Sequence, residues 1–104
     1  MSEHKTGSEE LAAPEIEENV KEPPMYKVLL HNDDYTTMEF VVEVLMNVFN
    51  QSIIEATGIM LNVHKQGTGL CGHYPYDIAE TKVDTVHLLA RERGFPLKCS
   101  MEEE

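Results

Sequence analysis

The chain has 104 residues, of which 19 are acidic and 8 are basic, so its formal net charge at pH 7 is −11. This length fits one small domain. Nucleic acids and anionic membranes attract basic proteins, so the charge argues against both as partners. No segment approaches the roughly 20 apolar residues of a membrane span, and the acidic N-terminal stretch does not resemble a signal peptide.

The charge is unevenly distributed along the chain. Residues 1–24 hold seven acidic and two basic residues, contain few apolar ones and end at two prolines. This composition predicts a flexible extension that is either a solubilising tail or an interaction arm. Residues 25–104 are then the folded domain. The two cysteines, Cys71 and Cys99, are too few for a disulfide scaffold, which favours a cytoplasmic location.

The first half of the domain has one strand and two helices. Residues 25–31 alternate and are rich in β-forming side chains, which predicts a strand, and the Asn-Asp-Asp of 32–34 predicts a turn. Thr36 and the glutamate three residues later form a capping-box pattern, followed by helical apolar spacing over 37–50. Ser52 begins a second capping-box pattern, and with it a second helix.

The second half has two strands around a third helix. Glycines from Gly67 onward end the second helix and flank a short apolar strand at 70–71. Pro75 suits the first turn of the third helix, which ends at Gly94, and residues 95–101 predict the last strand. The order β-α-α-β-α-β predicts an α+β fold: a three-stranded antiparallel sheet with three helices on one face.

Two polar features are the first candidates for a binding site. Asn32, Asp33 and Asp34 either satisfy backbone groups in the turn or present several acceptors, without a competing charged donor, to a cation. His64 lies near the end of the second helix. It either packs near the helix C-terminus or orients a ligand through one ring nitrogen.

Several apolar residues near these polar ones are either ordinary core or the wall of a hollow. They are Met38, Val41, Met60, Val63 and Leu97. Met60 lies one helical turn before His64, so the two side chains share a face of the helix. A hollow lined by soft methionines beside a polar cluster suits a bulky apolar side chain.

Metal binding and thiol catalysis are the alternative interpretations. The residues that could ligate a metal have no paired zinc-type spacing, so we expect neither a metal site nor a cofactor. These residues are His31, Asp33, Asp34, His64, Cys71 and His73. A Cys71–His64 pair could act as a nucleophile, but a cysteine in an apolar strand is usually inert. We therefore expect no catalytic residue.

Eight short motifs between residues 23 and 101 carry a resemblance to a known family. They are Pro-Pro-Met-Tyr-Lys-Val (23–28), Asn-Asp-Asp-Tyr-Thr (32–36), Met-Glu-Phe-Val (38–41), Val-His (63–64), Cys-Gly (71–72), Ala-Glu-Thr-Lys-Val (79–83), Ala-Arg (90–91) and Pro-Leu (96–97). In their order and spacing they resemble ClpS, the adaptor of the bacterial Clp protease. The resemblance implies a binding protein, not an enzyme.

The resemblance also implies a function. Adaptors similar to ClpS bind proteins whose N-terminal residue is Leu, Phe, Tyr or Trp. They hand these proteins to the hexameric unfoldase ClpA, which feeds the ClpP peptidase. The family shares the β-α-α-β-α-β order predicted above. On this basis we expect a cytoplasmic monomer that binds N-degron substrates and the N-terminal domain of ClpA, without nucleic acid or membrane.

The resemblance assigns roles at the candidate site by position. Asn32, Asp34 and His64 would hold the α-amino group of the substrate, with Asp33 supporting them electrostatically. Met38 would be the gatekeeper beside the first side chain. The remaining wall of the hydrophobic pocket would be formed by Val41, Met60, Val63 and Leu97.

Three further assignments lie outside the pocket. Asp77 and Lys82 match positions that dock on the ClpA N-terminal domain, although Asp77 is shorter than the usual glutamate. Residues 1–24 correspond to a segment that the family needs for substrate delivery. This correspondence rests on position in the chain alone, because the segment contains no matching motif. Gly69 stands where relatives carry a small alanine, a change that we expect to be mild.

Overall fold

The structure, a computed structural model, describes residues 22–104. The extension predicted for residues 1–24 therefore lies outside the described residues except for its last three. In the described part, three strands and three helices follow one another in the predicted order. They are β1 (Met25–His31), α1 (Met38–Asn47), α2 (Ile53–Gln66), β2 (Thr68–Pro75), α3 (Tyr76–Arg93) and β3 (Lys98–Glu103).

The sheet has β1 at its centre, paired antiparallel with both neighbours in the order β2-β1-β3. Val28 and Leu30 of β1 are fully buried, whereas the other residues of the strand are only partly buried. Side chains alternate across a strand, so one face of the sheet is the core face. The register with β2 shifts opposite Val28 and Leu29 and leaves Cys71 without a partner, as in a β-bulge.

The core lies between this face and the helices. Fifteen buried hydrophobic residues form it, drawn from all six elements and the segments that connect them. No polar or charged side chain of residues 22–104 is buried. The α+β fold class is therefore confirmed, with a core held by apolar packing.

The starts of the first two helices differ in how well their caps were predicted. The N-cap of α1 is Thr37, whose hydroxyl oxygen accepts a hydrogen bond from the Phe40 amide. The capping box predicted to begin at Thr36 is therefore wrong, because the Thr36 hydroxyl donates to the Asp33 carboxylate instead. The capping box at Ser52 is confirmed at the start of α2.

Several boundaries also differ from the predicted ones. Helix α1 ends three residues before position 50, and Asn50 has a left-handed φ of 57°. Strand β2 has eight residues rather than two, and Pro75 ends it and occupies the N-cap position of α3, without a side-chain capping hydrogen bond, instead of lying inside the helix. Strand β3 begins at Lys98 rather than at position 95, and the Phe95 amide instead donates to the carbonyl of Ala90 at the end of α3.

Gly69 is the point at which α2 packs most closely on β2. A Cβ at this position would lie 2.6 Å from Cγ2 of Val63 and 3.1 Å from the carbonyl oxygen of Ile59. Real Cβ atoms do not approach other atoms as closely as 2.6 Å. An alanine here would force α2 or its side chains to move, so glycine at this position is not a mild change.

Candidate functional site

A cavity of about 230 Å³ opens between the turn that follows β1, the start of α1 and the second half of α2. A cavity of roughly 150 Å³ in another protein holds benzene, so this one has room for an aromatic side chain. The lining residues are Asn32, Asp33, Asp34, Thr36, Met38, Val41, Met60, Val63 and His64. Polar residues come from the turn and from the last turn of α2, and apolar residues come from the two helices.

The turn is shaped by the carboxylate of Asp33. One of its oxygens accepts hydrogen bonds from the amides of Tyr35, at 2.8 Å, and Thr36, at 2.7 Å, and the other accepts from the Thr36 hydroxyl at 2.7 Å. Partial burial acts to raise the pKa of Asp33. The three hydrogen bonds outweigh it, so the pKa lies below its usual value. For Asp33, the role in turn formation is confirmed.

A backbone hydrogen bond joins this turn to the C-terminal end of α2. The amide of Asn32 donates to the carbonyl of Gly67 at a distance of 2.9 Å. Gly67 caps α2 in the left-handed conformation, with φ of 93°, which a glycine adopts without strain. The bond brings the acidic turn beside the last turn of α2, where His64 lies. The partial negative charge of a helix C-terminus adds to that of the carboxylates.

The polar rim of the cavity is open to a ligand. Asn32, Asp34 and His64 are exposed, and within residues 22–104 their side chains form no hydrogen bonds. A carboxylate and an amide oxygen are acceptors, and a neutral imidazole has one acceptor nitrogen. Neither lysine nor arginine contributes to the lining. The rim therefore offers several acceptors and a negative field, which suits a small cation.

The apolar wall has a fixed inner part and an adaptable outer part. Val41 and Val63 are buried, with exposed fractions of 6% and 2%, and belong to the core. Met38 is 42% exposed at the start of α1, and Met60 is partly buried on α2. Branched valines have few rotamers, whereas methionine is flexible and fits different shapes. An apolar side chain would thus meet rigid valines at depth and mobile methionines at the mouth.

Eight of the nine residues predicted to contact a ligand line this cavity. The exception is Leu97, which is buried in the core and absent from the lining, so its contact with a ligand stays a prediction. Sequence reasoning missed Thr36, which was assigned to a helix cap but lines the cavity and bonds Asp33. The spacing of an aspartate and a threonine three residues later, typical of local side-chain-to-backbone bonding, was the available signal.

The predicted docking residues lie on α3, outside the cavity lining. Asp77 is exposed, and its carboxylate accepts a hydrogen bond from the amide of Ile78 at 3.0 Å. Lys82 is partly buried. Its ammonium donates to the carbonyl of Val48 at 2.8 Å and lies 5.2 Å from the centre of the Tyr74 ring.

The alternative chemistries find little support in the described residues. In residues 22–104, no group of three or more His, Cys, Asp or Glu side chains could hold a metal ion. Cys71 and Cys99 are buried free thiols, and Cys71 does not line the cavity. Burial raises the pKa of both thiols, that of Cys99 to about 12, which disfavours the reactive thiolate. None of the described helices is long and apolar enough to cross a membrane.

Comparison with known proteins identifies relatives of the whole chain. The family model described as "ATP-dependent Clp protease adaptor protein ClpS" matches residues 21–100. A protein of Desulforapulum autotrophicum named ATP-dependent Clp protease adapter protein ClpS is 56% identical over 104 residues, covering 100% of both chains. A protein of the same name from Desulfatibacillum aliphaticivorans is 63% identical over 87 residues, 84% of each chain.

A solved structure of a ClpS protein has a fold similar to that of this chain. Agrobacterium tumefaciens ClpS2 bound to L-phenylalaninamide is 42% identical, with a TM-score of 0.77, and covers 80% of this chain and 100% of that one. The family is named for an adaptor function rather than for catalysis. The chain therefore belongs to the ClpS family of ATP-dependent Clp protease adaptor proteins.

Proposed function

We propose that this protein is an N-degron adaptor. It binds proteins whose N-terminal residue is Leu, Phe, Tyr or Trp, and delivers them to the ClpA unfoldase of the ClpAP protease. The observation that carries the proposal is the cavity itself, in which unpaired acceptors at the rim adjoin an apolar wall. The two features of a bulky hydrophobic N-terminal residue, an ammonium group and a large apolar side chain, match these two surfaces.

The rim distinguishes a free N-terminus from any internal residue. An α-amino group has a pKa near 8, so most N-termini are cationic at neutral pH and carry three donors. Asn32, Asp34 and His64 supply the acceptors, and Asp33 holds the turn and adds negative charge. An acetylated or internal nitrogen is neutral and has only one hydrogen. It would leave acceptors unpaired, at a cost of roughly 1–3 kcal/mol each.

The wall selects the side chain. Burying a Leu or Phe side chain contributes about 1.5–3 kcal/mol. Val41, Met60 and Val63 provide the contact surface, and Met38 stands at the mouth as gatekeeper. A side chain branched at Cβ, such as Val or Ile, is widest where it passes Met38. We expect such residues to bind less well than unbranched ones.

The ligand of the solved relative supports this assignment. L-phenylalaninamide, to which Agrobacterium tumefaciens ClpS2 is bound, is a single residue with a free α-amino group and a phenyl side chain. It thus combines both features for which the cavity of the present chain is suited. The 42% identity and the TM-score of 0.77 between the two proteins support the same ligand class for the present chain.

Delivery requires that the substrate and the unfoldase bind at the same time. Asp77 and Lys82 lie on α3 and do not line the cavity, so a partner docked on them leaves the cavity accessible. We assign them to contact with the ClpA N-terminal domain, and assign residues 1–24 to substrate delivery. A monomeric state and a cytoplasmic location remain predictions from the sequence.

Fluorescence anisotropy tests the binding step. Labelled peptides that differ only in the first residue, with Phe, Leu, Val or Asp at that position, are titrated with the full chain, each with a free and an acetylated N-terminus. The Phe and Leu peptides should bind tightly only when their N-terminus is free. Equal binding of the acetylated Phe peptide, or of the Asp peptide, would refute the proposal.

ATP-dependent degradation of a Phe-initiated fluorescent protein by purified ClpA and ClpP tests the delivery step. Asp77→Ala, Lys82→Ala and deletion of residues 2–20 should each slow degradation while leaving the peptide affinity unchanged. Asp84→Ala, which also removes an exposed acid from α3, is the matched control. Degradation at the wild-type rate by all three altered chains would refute the assigned docking and delivery roles.

A further inference from the structure

We infer that Gly69 sets the size of the side-chain pocket, although it does not line it. The residue is buried on β2, on the core face of the sheet, with Val63 of α2 against it. Val63 in turn lines the cavity. Gly69 is thus a positioning residue for the wall of the cavity, and this inference deepens the function proposed above and rests on it.

The geometry leaves no room for a side chain at this position. An added Cβ would lie 2.6 Å from Cγ2 of Val63, 3.1 Å from the carbonyl oxygen of Ile59 and 3.2 Å from Cγ2 of Ile59. Two of these three atoms belong to β-branched side chains, which have few alternative rotamers, and the third is backbone. Hydrogen, the present substituent, lets α2 lie at its observed distance from the strand.

The direction of the resulting movement follows from the surroundings of Val63. This side chain is only 2% exposed and is packed in the core on its other sides. Interiors are close-packed, so a displaced methyl group moves toward free space. The free space that adjoins Val63 is the cavity of about 230 Å³. A Cβ at Gly69 would push Val63 into that cavity and make it smaller.

A smaller cavity discriminates between ligands by the volume of their first side chain. Phe, Tyr and Trp need the most space, and Leu needs less. Glycine at this position therefore favours aromatic N-terminal residues, whereas alanine would shift the preference toward Leu. Specificity for the first residue would then depend on the second layer of the site as well as on the residues that contact the ligand.

The test compares Gly69→Ala with Gly58→Ala in the full chain. Gly58 lies on the exposed side of α2, the helix that carries Val63, and would have no atom within 4 Å of an added Cβ, so it is a matched glycine-to-alanine control. Anisotropy titrations give the dissociation constants for a Phe-initiated and a Leu-initiated peptide. In Gly69→Ala, the affinity for the Phe peptide should fall about fivefold or more relative to that for the Leu peptide. Gly58→Ala should leave this ratio within twofold of the wild-type value.

The controls separate this inference from the proposed function. If the wild-type chain does not prefer the free Phe peptide over its acetylated form, the proposed function fails. If the wild type shows that preference but Gly69→Ala, when folded, weakens both peptides equally, changes neither, or favours Phe, the inference about Gly69 is overturned. A loss of folding alone would weaken all peptides together, so the ratio reports on the pocket rather than on stability.

A double variant covers the case in which Gly69→Ala does not fold. Val63→Ala removes the methyl groups with which the new Cβ would collide, so the chain that carries both Val63→Ala and Gly69→Ala should fold. Its Phe-to-Leu affinity ratio should equal that of Val63→Ala alone, because the obstruction is no longer transmitted to the cavity. A ratio that still shifts toward Leu when Gly69→Ala is added to Val63→Ala would show that Val63 is not the intermediary, and would overturn the inference.

Discussion

The turn side and the helix side of the cavity are held in place by different forces. On the turn side, the carboxylate of Asp33 accepts three hydrogen bonds and the amide of Asn32 donates to Gly67. On the helix side, Val41 and Val63 are fixed by packing in the core. Directional bonds position charge, whereas packing sets volume. The recognition of the ammonium group and the recognition of the side chain should therefore respond to different substitutions.

The largest effect is expected on the turn side, from Asp34→Ala. This change removes an exposed carboxylate that no hydrogen bond within residues 22–104 occupies, and with it the strongest acceptor for the ammonium group. Affinity for a Phe-initiated peptide should fall about tenfold or more, since a hydrogen bond to a charged group contributes roughly 1.5–3 kcal/mol. Fluorescence anisotropy measures this change in affinity, and Asp84→Ala is the control for the change in net charge. Binding within twofold of the wild type would exclude the ammonium role of Asp34.

A smaller effect of opposite sign is expected on the helix side, from Met38→Ala. Shortening the partly exposed gatekeeper widens the mouth without altering the rim. Peptides that begin with Val or Ile should gain about three- to tenfold in affinity, a change typical of one or two methylene groups in a pocket. Met46→Ala is the matched control, because Met46 is similarly exposed on the same helix but does not line the cavity. A competition assay without any gain for Val would remove the gatekeeper assignment.

A third effect should appear in the pH dependence of stability, from Thr36→Val. The pKa of Asp33 is lowered in the folded chain, so its ionised carboxylate stabilises the fold fully above the unfolded pKa of about 3.9. This stabilisation is lost as pH falls through the folded pKa. Without the Thr36 hydroxyl, the pKa of Asp33 should rise. The variant should be less stable than the wild type by about 1 kcal/mol at pH 7.

Thermal unfolding between pH 2 and pH 7 measures this difference. The gap in melting temperature between wild type and Thr36→Val should narrow as the pH falls from about 4 through the folded pKa of Asp33, because below that pKa Asp33 is protonated in both chains. Thr85→Val is the control, since its hydroxyl donates to a helix carbonyl on α3 and not to a carboxylate. A gap that is independent of pH would show that Thr36 acts by packing alone.

The smallest effect on binding is expected from Thr37→Ala, one residue further along. The Thr37 hydroxyl caps α1 and does not line the cavity. Its loss should cost about 1 kcal/mol of stability, in the usual range for a helix N-cap. Peptide affinity should stay within twofold of the wild type. A loss of affinity as large as that of Asp34→Ala would mean that the two sides of the cavity are not independent.

The local patterns that predicted the site are the ones that needed no tertiary information. The Asn-Asp-Asp turn and the helical spacing of Met60 to His64 each follow from neighbours in the sequence. What the sequence could not supply was the bond from Asn32 to Gly67, which joins the turn to α2 across the cavity. Thr36 was misassigned because two threonines in succession both fit a cap, and only the partner of each hydroxyl distinguishes them.

Strand β2 is a second case in which local sequence was not sufficient for the prediction, here because the strand is longer than its residues favour. Its glycines and proline are poor strand formers, so only residues 70–71 were predicted as extended. One side of β1 nevertheless pairs with β2 from Met25 to His31, because backbone groups of a central strand need partners. Tertiary pairing overrode local propensity. Gly69, one of the glycines predicted to end the second helix, is also the residue whose lack of a side chain lets α2 pack closely on the sheet.

The burial of both thiols has a practical consequence for studying this protein in solution. Cys71 and Cys99 are the two cysteines of the chain, and burial raises the pKa of each. Maleimides and iodoacetamides react with the thiolate, so the natural chain should label slowly at neutral pH. A cysteine introduced on the exposed face of α3, as in Asp84→Cys, would provide a single reactive handle. Distances from α3 to a labelled N-degron peptide then become measurable by energy transfer, with both native cysteines left in the core.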